Sequence, residues 1–488
     1  MSIPSPARAS ALPCLLILAV VAACFSISSQ SLWMDEAETV IIVLPSTIHG
    51  CWLALRHDNT SCLQMPLYFA YLWAWGRCFG ISELLLRASN LPWFFVGLFA
   101  IVHFLRRHIT LRNVVLLIFC VHPFVLFYLN EVRSYAMDLA GAMLAAGALF
   151  EAMDRPDDTL PSSWWWCLGA GMFILCGATV IGVPWAAAIA LLLVTLPNVR
   201  RSLGESLLPA LVFIPLFILL GLYFAWTFKE DVRNAALPAS LASMLSVYYE
   251  LFGFLGLGPG RNDLRVNSIS ATPPYLIPLA MLGVPLAYGL LFAARRRFCL
   301  TSRQLITILL ITSAVSGITF ALGFLRHARM LARHFSPLFP FVLMAQAMAV
   351  LLLWKNGRLP GRIAAVLIVF ALACSSIEVR LASRHAKDDI RSTAAAARQA
   401  LAQGKTVWWA GSPDGARFYK LPIAFQETPG AARLIYGLPA TFTAPPDEII
   451  FSKPDIFDPN GTLAPFIAAH HYIPAGQWQS FTLWQKTP

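Results

Sequence analysis

The sequence predicts a polytopic α-helical membrane protein of about 11 transmembrane helices with a small C-terminal α/β domain. Three observations support this fold class. Of the 488 residues, 58% are hydrophobic and only 12% are charged, whereas a soluble domain has about a quarter charged residues. Apolar segments of roughly 18–22 residues, long enough to cross a bilayer, recur along most of the chain. After about residue 380 the composition becomes mixed, as in a folded domain outside the membrane.

Eleven apolar segments are predicted to span the membrane. The fifth and sixth are separated only by a weak turn at Ala178-Thr179. We therefore expect a transmembrane domain over residues 1–379, with a long first loop at 30–83, and a C-terminal domain over 380–488. The segments are 11–29, 84 to the basic stretch at 103–108, 114–128, 134–150, 164–177, 180–196, 207–228, 275–294, 305–325, 335–354 and 363–376.

Clusters of basic residues fall in alternate loops, which predicts the orientation. Such clusters mark the cytoplasmic side of a membrane protein, so the net charge of +11 indicates membrane topology rather than nucleic-acid binding. The loop that contains Asp35, the turn at Glu131, the loop 229–273 and the C-terminal domain are then extracytoplasmic. The clusters are Arg106-Arg107 with Arg112, Arg200-Arg201, Arg295-Arg296-Arg297 with Arg303, and Lys355 with Arg358 and Arg362.

Two adjacent carboxylates, Asp35 and Glu36, follow the first apolar segment at once. A charge buried near hydrocarbon is costly, so these residues either end a helix in a polar loop or form a catalytic site at the membrane surface. Residues 40–55 and 66–79 of the same loop are predicted to form amphipathic helices in the interface. A disulfide between Cys51 and Cys62 is compatible with an extracytoplasmic loop.

Three arginines, Arg326, Arg329 and Arg333, lie in the short loop before the tenth segment. This loop is predicted to be extracytoplasmic, where basic residues do not help orientation. Guanidinium groups suit phosphate oxygens, which favours a phosphate site. The alternatives are arginines that reach to the interface, or a miscounted span.

A second charged turn, Asn130-Glu131-Val132-Arg133-Ser134-Tyr135, joins two segments almost directly. Glu131 and Arg133 either neutralise each other at a helix end, or Arg133 contributes to the phosphate site.

The sequence has no Cys/His spacing typical of a metal centre and no glycine-rich phosphate loop. We therefore expect neither a cofactor nor a required metal.

The C-terminal residues alternate between helix and strand patterns, which indicates an α/β domain. Helices are predicted at 387–403, 414–419 and 463–470, and strands at 405–410, 448–451 and 481–484. This region has no cysteine and no obvious catalytic triad, so we expect a binding or scaffold role.

Four motifs follow one another along the chain: Leu32-Trp33-Met34-Asp35-Glu36-Ala37, Pro66-Leu67-Tyr68 with Phe79-Gly80-Ile81-Ser82-Glu83 and Arg87, the turn at 130–135, and Arg333 with Pro337 and Pro340. In this order they resemble the GT-C membrane glycosyltransferases, in particular the bacterial members of glycosyltransferase family 39. These are akin to protein O-mannosyltransferases and the lipid A aminoarabinose transferase. Where relatives often have a basic residue before Pro-Leu-Tyr, this chain has Gln64-Met65, and His57 is a candidate substitute.

The resemblance implies a polyprenyl phosphate-linked sugar donor and an inverting transfer on the extracytoplasmic face of a bacterial inner membrane. It implies that Asp35 is the general base and that Glu36 orients it or faces the sugar. The resemblance and the cationic loops together imply a donor phosphate site of Arg333, Arg329, Arg326 and Arg133. The acceptor or sugar site is then expected at His57, Tyr68, Glu131 and Tyr135.

Other functions remain open from the sequence. A lipid or anion transporter or flippase requires ionisable residues deep in the helix bundle, and Asp138 is the one carboxylate well inside a predicted span. A glycan polymerase or ligase uses similar parts, and an envelope scaffold is a third reading.

Overall fold

The computed structural model describes residues 11–58, 60–228, 240–295, 302–325, 330–440 and 444–487. The chain forms two compact units. The helical unit contains Met1–Ile27, Leu55–Cys78 and Leu85–His385, and the sheet unit contains Ser28–Ala54, Phe79–Leu84 and Ala386–Pro488. The first-loop residues Asp35 and Glu36 therefore belong to the same unit as the C-terminal part of the chain.

Each segment predicted to span the membrane contains α-helix in the helical unit, and the third is interrupted at His122. The weak turn after Ala178 is a real break, because Thr179 has extended backbone angles. The described α-helices of this unit with seven or more residues are Ala11–Ser26, Pro66–Phe79, Leu91–Phe104, Ile109–Val121, Pro123–Leu129, Tyr135–Asp154, Ser162–Ala178, Gly182–Thr195, Leu207–Thr227, Leu241–Leu251, Arg261–Asn267, Leu276–Ala294, Ser302–Leu325, Phe339–Asn356 and Leu359–Leu381.

The described helices identify a multi-pass membrane protein, but they do not confirm a count of eleven spans. Seven are long and apolar enough to cross a membrane, and an eighth span forms if Ile109–Val121 and Pro123–Leu129, which meet at a 53° bend, are counted together. The apolar helices Ala11–Ser26 and Gly182–Thr195 have 16 and 14 residues. At a rise of about 1.5 Å per residue they are shorter than a hydrocarbon core of roughly 30 Å.

Small residues bring two of the long helices into close contact. A Cβ atom added at Gly141 would lie 2.5 Å from the backbone nitrogen of Leu175, and one added at Gly171 would lie 2.7 Å from Cβ of Leu144. Glycine at both positions lets the helices Tyr135–Asp154 and Ser162–Ala178 approach as small residues do in membrane bundles. This contact fixes the helix that begins at Tyr135, directly after the charged turn.

The sheet unit is built around a six-stranded mixed sheet of order β2-β3-β1-β4-β6-β5. The pairs β1–β3, β1–β4 and β2–β3 are parallel, and β4–β6 and β5–β6 are antiparallel. The strands are β1 Val407–Ala410, β2 Ile423–Ala424, β3 Ala432–Leu434, β4 Glu448–Ser452, β5 Tyr472–Trp478 and β6 Phe481–Lys486. The helices are Met34–Val43, Ile48–Asp58 (which ends in the helical unit), Ile390–Ala402, Pro413–Phe418, Pro454–Phe457 and Leu463–Ala469, and Glu83–Ala88 also joins the two units in sequence.

Alternate residues of β1 face two separate hydrophobic cores. Val407 and Trp409 pack in one core with the helices Ile390–Ala402 and Pro413–Phe418. Trp408 and Ala410 pack in the other with Leu463–Ala469, and Met34 of the first loop lies against this second core. The alternation is the period of two expected for a strand, and it makes the helix with Asp35 part of the sheet unit's packing.

Two sequence-based expectations need correction here. Residues 40–55 do not form one helix, because the chain leaves the helix after Val43 and a second helix starts at Ile48. Pro45 lies in this break, and proline has no N–H group with which to continue a helix. The C-terminal sheet has six strands rather than three, since β2, β3 and β5 were not predicted.

Thr406 and Asp447 join the starts of β1 and β4. The backbone N–H and the hydroxyl of Thr406 donate to Oδ2 of Asp447 at 2.7 and 2.8 Å. The backbone N–H of Asp447 donates to the Thr406 hydroxyl oxygen at 2.9 Å. The hydrogen bond from the Thr406 backbone holds the pKa of Asp447 below its ordinary value.

We expect Asp447→Asn to lower the stability of the sheet unit at pH 7 by about 1 kcal/mol, because the side chain is exposed and contributes a solvent-weakened charged hydrogen bond. A carboxylate with a lower pKa in the folded than in the unfolded state stabilises the fold at pH values above its unfolded pKa of about 3.9. This stabilisation is lost as the pH falls through the folded-state pKa. The difference in the free energy of unfolding between parental and variant protein should therefore be smaller in acid. Thermal unfolding at neutral and acid pH measures it, and an equal difference at both would contradict this assignment.

Candidate active site

Asp35 and Glu36 lie on the first turn of the helix Met34–Val43, with Trp33 in extended conformation before it. Negative charge at this end of a helix is stabilised by the helix dipole. The backbone N–H of Trp33 donates to Oε2 of Glu36 at 3.2 Å. Glu36 thus closes back on the residue that starts the helix, as the acid of a capping box does.

The two carboxylates have different surroundings. Glu36 is 0% exposed, and its Oε1 is 2.7 Å from Nζ of Lys387. Asp35 is half-buried, and its backbone carbonyl accepts a hydrogen bond of 2.9 Å from Thr39 Oγ1. Glu36 is therefore an internal group paired with an ammonium, whereas Asp35 is the less buried residue of the two.

The chain before this helix is held by the C-terminal residues. The backbone N–H of Leu32 donates to the Tyr419 oxygen at 2.8 Å, and the Tyr419 hydroxyl donates to Oε1 of Glu83 at 3.1 Å. Burial raises the pKa of Tyr419, so its hydroxyl keeps its proton. Arg391 pairs with the same Glu83 at 3.1 Å, and its backbone N–H donates to Ser31 Oγ at 3.1 Å.

The charged turn at 130–134 belongs to the helical unit and is buried. The side-chain amide of Asn90 donates to the carbonyls of Leu129 at 3.1 Å and Glu131 at 2.5 Å. Glu131 is 1% exposed and Arg133 is 3% exposed. Arg133 donates to the Cys62 sulfur at 3.5 Å, and Cys51 and Cys62 both carry thiols rather than a disulfide.

Arg261 contacts this turn from the loop that precedes the eighth predicted span. It lies 2.8 Å from Glu250 and 3.5 Å from Glu131, and its guanidinium stacks 3.9 Å from the centre of the Phe127 ring. Burial lowers the pKa of Arg261, but the carboxylate of Glu250 and neighbouring groups raise it by more, so the net shift is upward. Arg261 thus keeps a permanent positive charge beside Glu131.

Arg333 lies in the 3₁₀ helix Ala332–Leu338, directly before the helix that starts at Phe339. Its side chain is half-buried, and its guanidinium lies 5.6 Å from the centre of the Tyr135 ring. Ser336, on the same turn, donates a hydrogen bond to the carboxylate of Asp138. Tyr135 therefore joins Arg333 to the helix that follows the charged turn.

The remaining predicted site residues are placed as follows. Tyr68 is 0% exposed and packs edge-on against Phe69. His57 has an exposed side chain on the last turn of Ile48–Asp58. Arg326 and Arg329 lie outside the described residues.

Sequence reasoning missed Lys387, Arg391, Tyr419 and Arg261. Lys387 pairs with a residue 351 positions away, and no local pattern of charge or hydrophobicity indicates such a partner. Arg261 carried a weak signal, since it is an arginine in a loop predicted to be extracytoplasmic.

No protein-family model and no curated protein matches this chain, but solved structures share its fold. ArnT from Cupriavidus metallidurans bound to undecaprenyl phosphate aligns with a TM-score of 0.53 over 97% of both chains, at 13% identity. The same protein in the apo state aligns at 0.50, again over 97% of both chains, at 12% identity. The chain has the GT-C fold.

Apart from the number of spans, the prediction of the fold class is thus confirmed by an alignment over 97% of the chain. Identities of 12–13% establish the fold alone. One fold can serve several functions, and the function depends on the residues in the site.

Proposed function

We propose that the protein is a membrane glycosyltransferase that moves a sugar from a polyprenyl phosphate-linked donor to an acceptor hydroxyl of the cell envelope. The observation that carries the proposal is the pair of unequal carboxylates. Glu36 is buried and balanced by Lys387, while Asp35 beside it is half-buried and oriented by the same helix turn. The GT-C fold supports the proposal, because a structural neighbour has undecaprenyl phosphate bound.

The proposed reaction is a single displacement. The acceptor oxygen attacks the anomeric carbon while Asp35 accepts the hydroxyl proton, as a general base does. The bond between the anomeric carbon and the phosphate oxygen breaks, and the phosphate leaves with the electron pair. One attack from the opposite side inverts the anomeric centre.

Arginines are proposed to stabilise the leaving phosphate. Guanidinium groups favour the charge that develops there. Arg333 and Arg133 are the described residues assigned to this role, and Arg326 and Arg329 precede Arg333 in the same loop. The donor is already activated, and arginines stabilise the charge of the leaving group. The proposed reaction therefore has no step that requires a metal or cofactor. Glu131, Tyr135, Tyr68 and His57 are proposed to shape the acceptor and sugar positions.

The proposed reaction takes place on the extracytoplasmic face of the inner membrane. The support is the alternation of basic loops, which puts the loop with Asp35 opposite the clusters at Arg106 and Arg200. Polyprenyl phosphate stays in the membrane, so a site at the membrane surface suits this donor.

Purified protein in lipid nanodiscs, supplied with polyprenyl phosphate-linked sugars and a lipid or peptide extract of the envelope, tests the function. We expect release of free polyprenyl phosphate and one new glycosidic bond of inverted configuration, measured by mass spectrometry and NMR. Sugar donors linked to nucleotides should give no product. Movement of the lipid-linked sugar across a vesicle membrane without a new bond would identify a transporter instead, and chain elongation of a glycan would identify a polymerase.

A further inference from the structure

Two adjacent residues of the sheet unit, Lys387 and Asp388, form two buried ion pairs. Lys387 pairs with Glu36 of the first-loop helix at 2.7 Å, with 8% and 0% of the side chains exposed. Asp388 pairs with Lys453, with 8% and 7% exposed. A buried charge is tolerated when its partner is close, so each of these four side chains depends on the other member of its pair.

Lys453 connects the second pair to the same first-loop motif. Its ammonium lies 5.6 Å from the centre of the Trp33 ring, within the range of a cation–π interaction. The backbone of Lys453 has φ 43°, in the left-handed region, which is unfavourable for a residue other than glycine. The strained backbone holds a buried ammonium between Asp388 and the residue that starts the Asp35 helix.

We propose that Lys387 is a positioning residue for sugar transfer: it holds Glu36 as a buried carboxylate and thereby fixes the orientation of Asp35. The proposal rests on the proposed role of Asp35 as base. Glu36 bonds both Lys387 and the N–H of Trp33, so the ion pair and the start of the helix are one connected arrangement. Asp35 lies between Trp33 and Glu36 in the chain and shares their turn.

Loss of Lys387 would remove the ammonium that lies 2.7 Å from Oε1 of the buried Glu36 carboxylate. A less well balanced buried carboxylate tends to take up a proton or turn toward water, and either change weakens its acceptance of the hydrogen bond from Trp33. A shift of about 1 Å in a reacting group can cost roughly 100-fold in rate. We therefore expect Lys387→Met to lower kcat by about ten- to a hundredfold and to leave the KM for the donor within about twofold.

The chain offers a matched control. Lys405 pairs with Glu448 at 2.7 Å in the same unit, at the start of the sheet. Lys405→Met removes an ion pair of the same length by the same substitution. We expect Lys405→Met to leave kcat unchanged. The comparison of the two variants then distinguishes a general effect of losing a lysine from loss of the positioning of Asp35.

The double variant Glu36→Gln/Lys387→Met provides the decisive comparison. Glu36→Gln alone removes the carboxylate of the pair and keeps the Lys387 ammonium, whereas the double variant removes both charges of the pair. We expect the double variant to have a higher kcat than either single variant, as for two coupled residues. This comparison holds even if Lys387→Met alone does not fold, because Glu36→Gln and the double variant then carry the test.

Hydrogen–deuterium exchange of the full-length protein gives a readout independent of transfer. Faster exchange at residues 33–40 in Lys387→Met, with unchanged exchange in the helix Tyr135–Asp154, is the expected result. If the parental protein transfers no sugar, the proposed function fails, and the exchange result alone decides whether Lys387 fixes this turn. An unchanged kcat in folded Lys387→Met, equal kcat in Glu36→Gln and the double variant, or unchanged exchange would each overturn the positioning role.

Discussion

Replacement of Asp35 by asparagine is expected to lower the rate of sugar transfer by about 10²–10⁴-fold, the range typical of a lost general base. Asparagine has nearly the same shape but no basic oxygen. Asp35 is half-buried on a helix whose position is set by Glu36 and Lys387, so insertion, folding and donor binding should persist. The measurement is single-turnover transfer from the lipid-linked donor, together with the donor Kd.

Glu36→Gln is the companion variant. Its loss should be smaller than that of Asp35→Asn, because Glu36 is buried and acts through its neighbours. In the double variant Asp35→Asn/Glu36→Gln the two losses of rate should not add, since the effects of residues that serve one step are strongly non-additive. If Asp35→Asn transfers sugar at the parental rate, Asp35 is structural and the mechanism proposed above is wrong.

Arg333→Ala is expected to weaken donor binding by about ten- to over a hundredfold. A charge-assisted hydrogen bond to phosphate contributes roughly 1.5–3 kcal/mol, which corresponds to that range of affinity. Arg333 is half-buried beside Tyr135, and alanine leaves the aromatic core of Phe335 and Phe339 in place. Titration with polyprenyl phosphate in nanodiscs gives the affinity.

The control for this variant is Arg358→Ala. Arg358 is an exposed arginine at the start of the helix Leu359–Leu381, in a loop predicted to lie on the cytoplasmic side. Its removal should leave donor affinity unchanged. An Arg333→Ala protein that binds polyprenyl phosphate as tightly as the Arg358→Ala protein would exclude Arg333 from the phosphate site.

The helical unit was largely predictable, because the hydrophobic effect leaves a direct record in the sequence. Long apolar runs such as 207–228 became the helix Leu207–Thr227 with one residue's difference at its end. The span count was less predictable, since helices such as Ala11–Ser26 are near the minimum length for crossing a bilayer.

The C-terminal strands show where local sequence patterns are not sufficient to predict a strand. The buried strand Val407–Ala410 is continuous in apolar residues and was predicted. Strand β3 has three residues, which is too short for a period of two to be recognised. Strand β5 contains Pro474 and an irregular register after it, and proline in an edge strand removes the usual strand signal.

In the candidate site, Asp35 and Glu36 were predictable from their place after an apolar segment, but their different environments were not. Glu36 is distinguished from Asp35 by Lys387, which lies in another part of the chain. Ion pairs between distant residues depend on the folded arrangement, so neither spacing nor composition indicates them. The motif was identified from the sequence resemblance, whereas the partner lysine is evident only in the structure.

The sheet unit is discontinuous in sequence, and this has a consequence for synthesis of the protein. Glu36 is translated 351 residues before Lys387, an interval of roughly 20 to 70 seconds at about 5–20 residues per second. During this time the first-loop helix has neither its buried ammonium nor the hydrophobic core against which Met34 packs. The turn that carries Asp35 is thus completed only after the later residues of the sheet unit, Lys387 among them, have been translated. A growing chain therefore inserts its membrane helices before this turn has its buried partners.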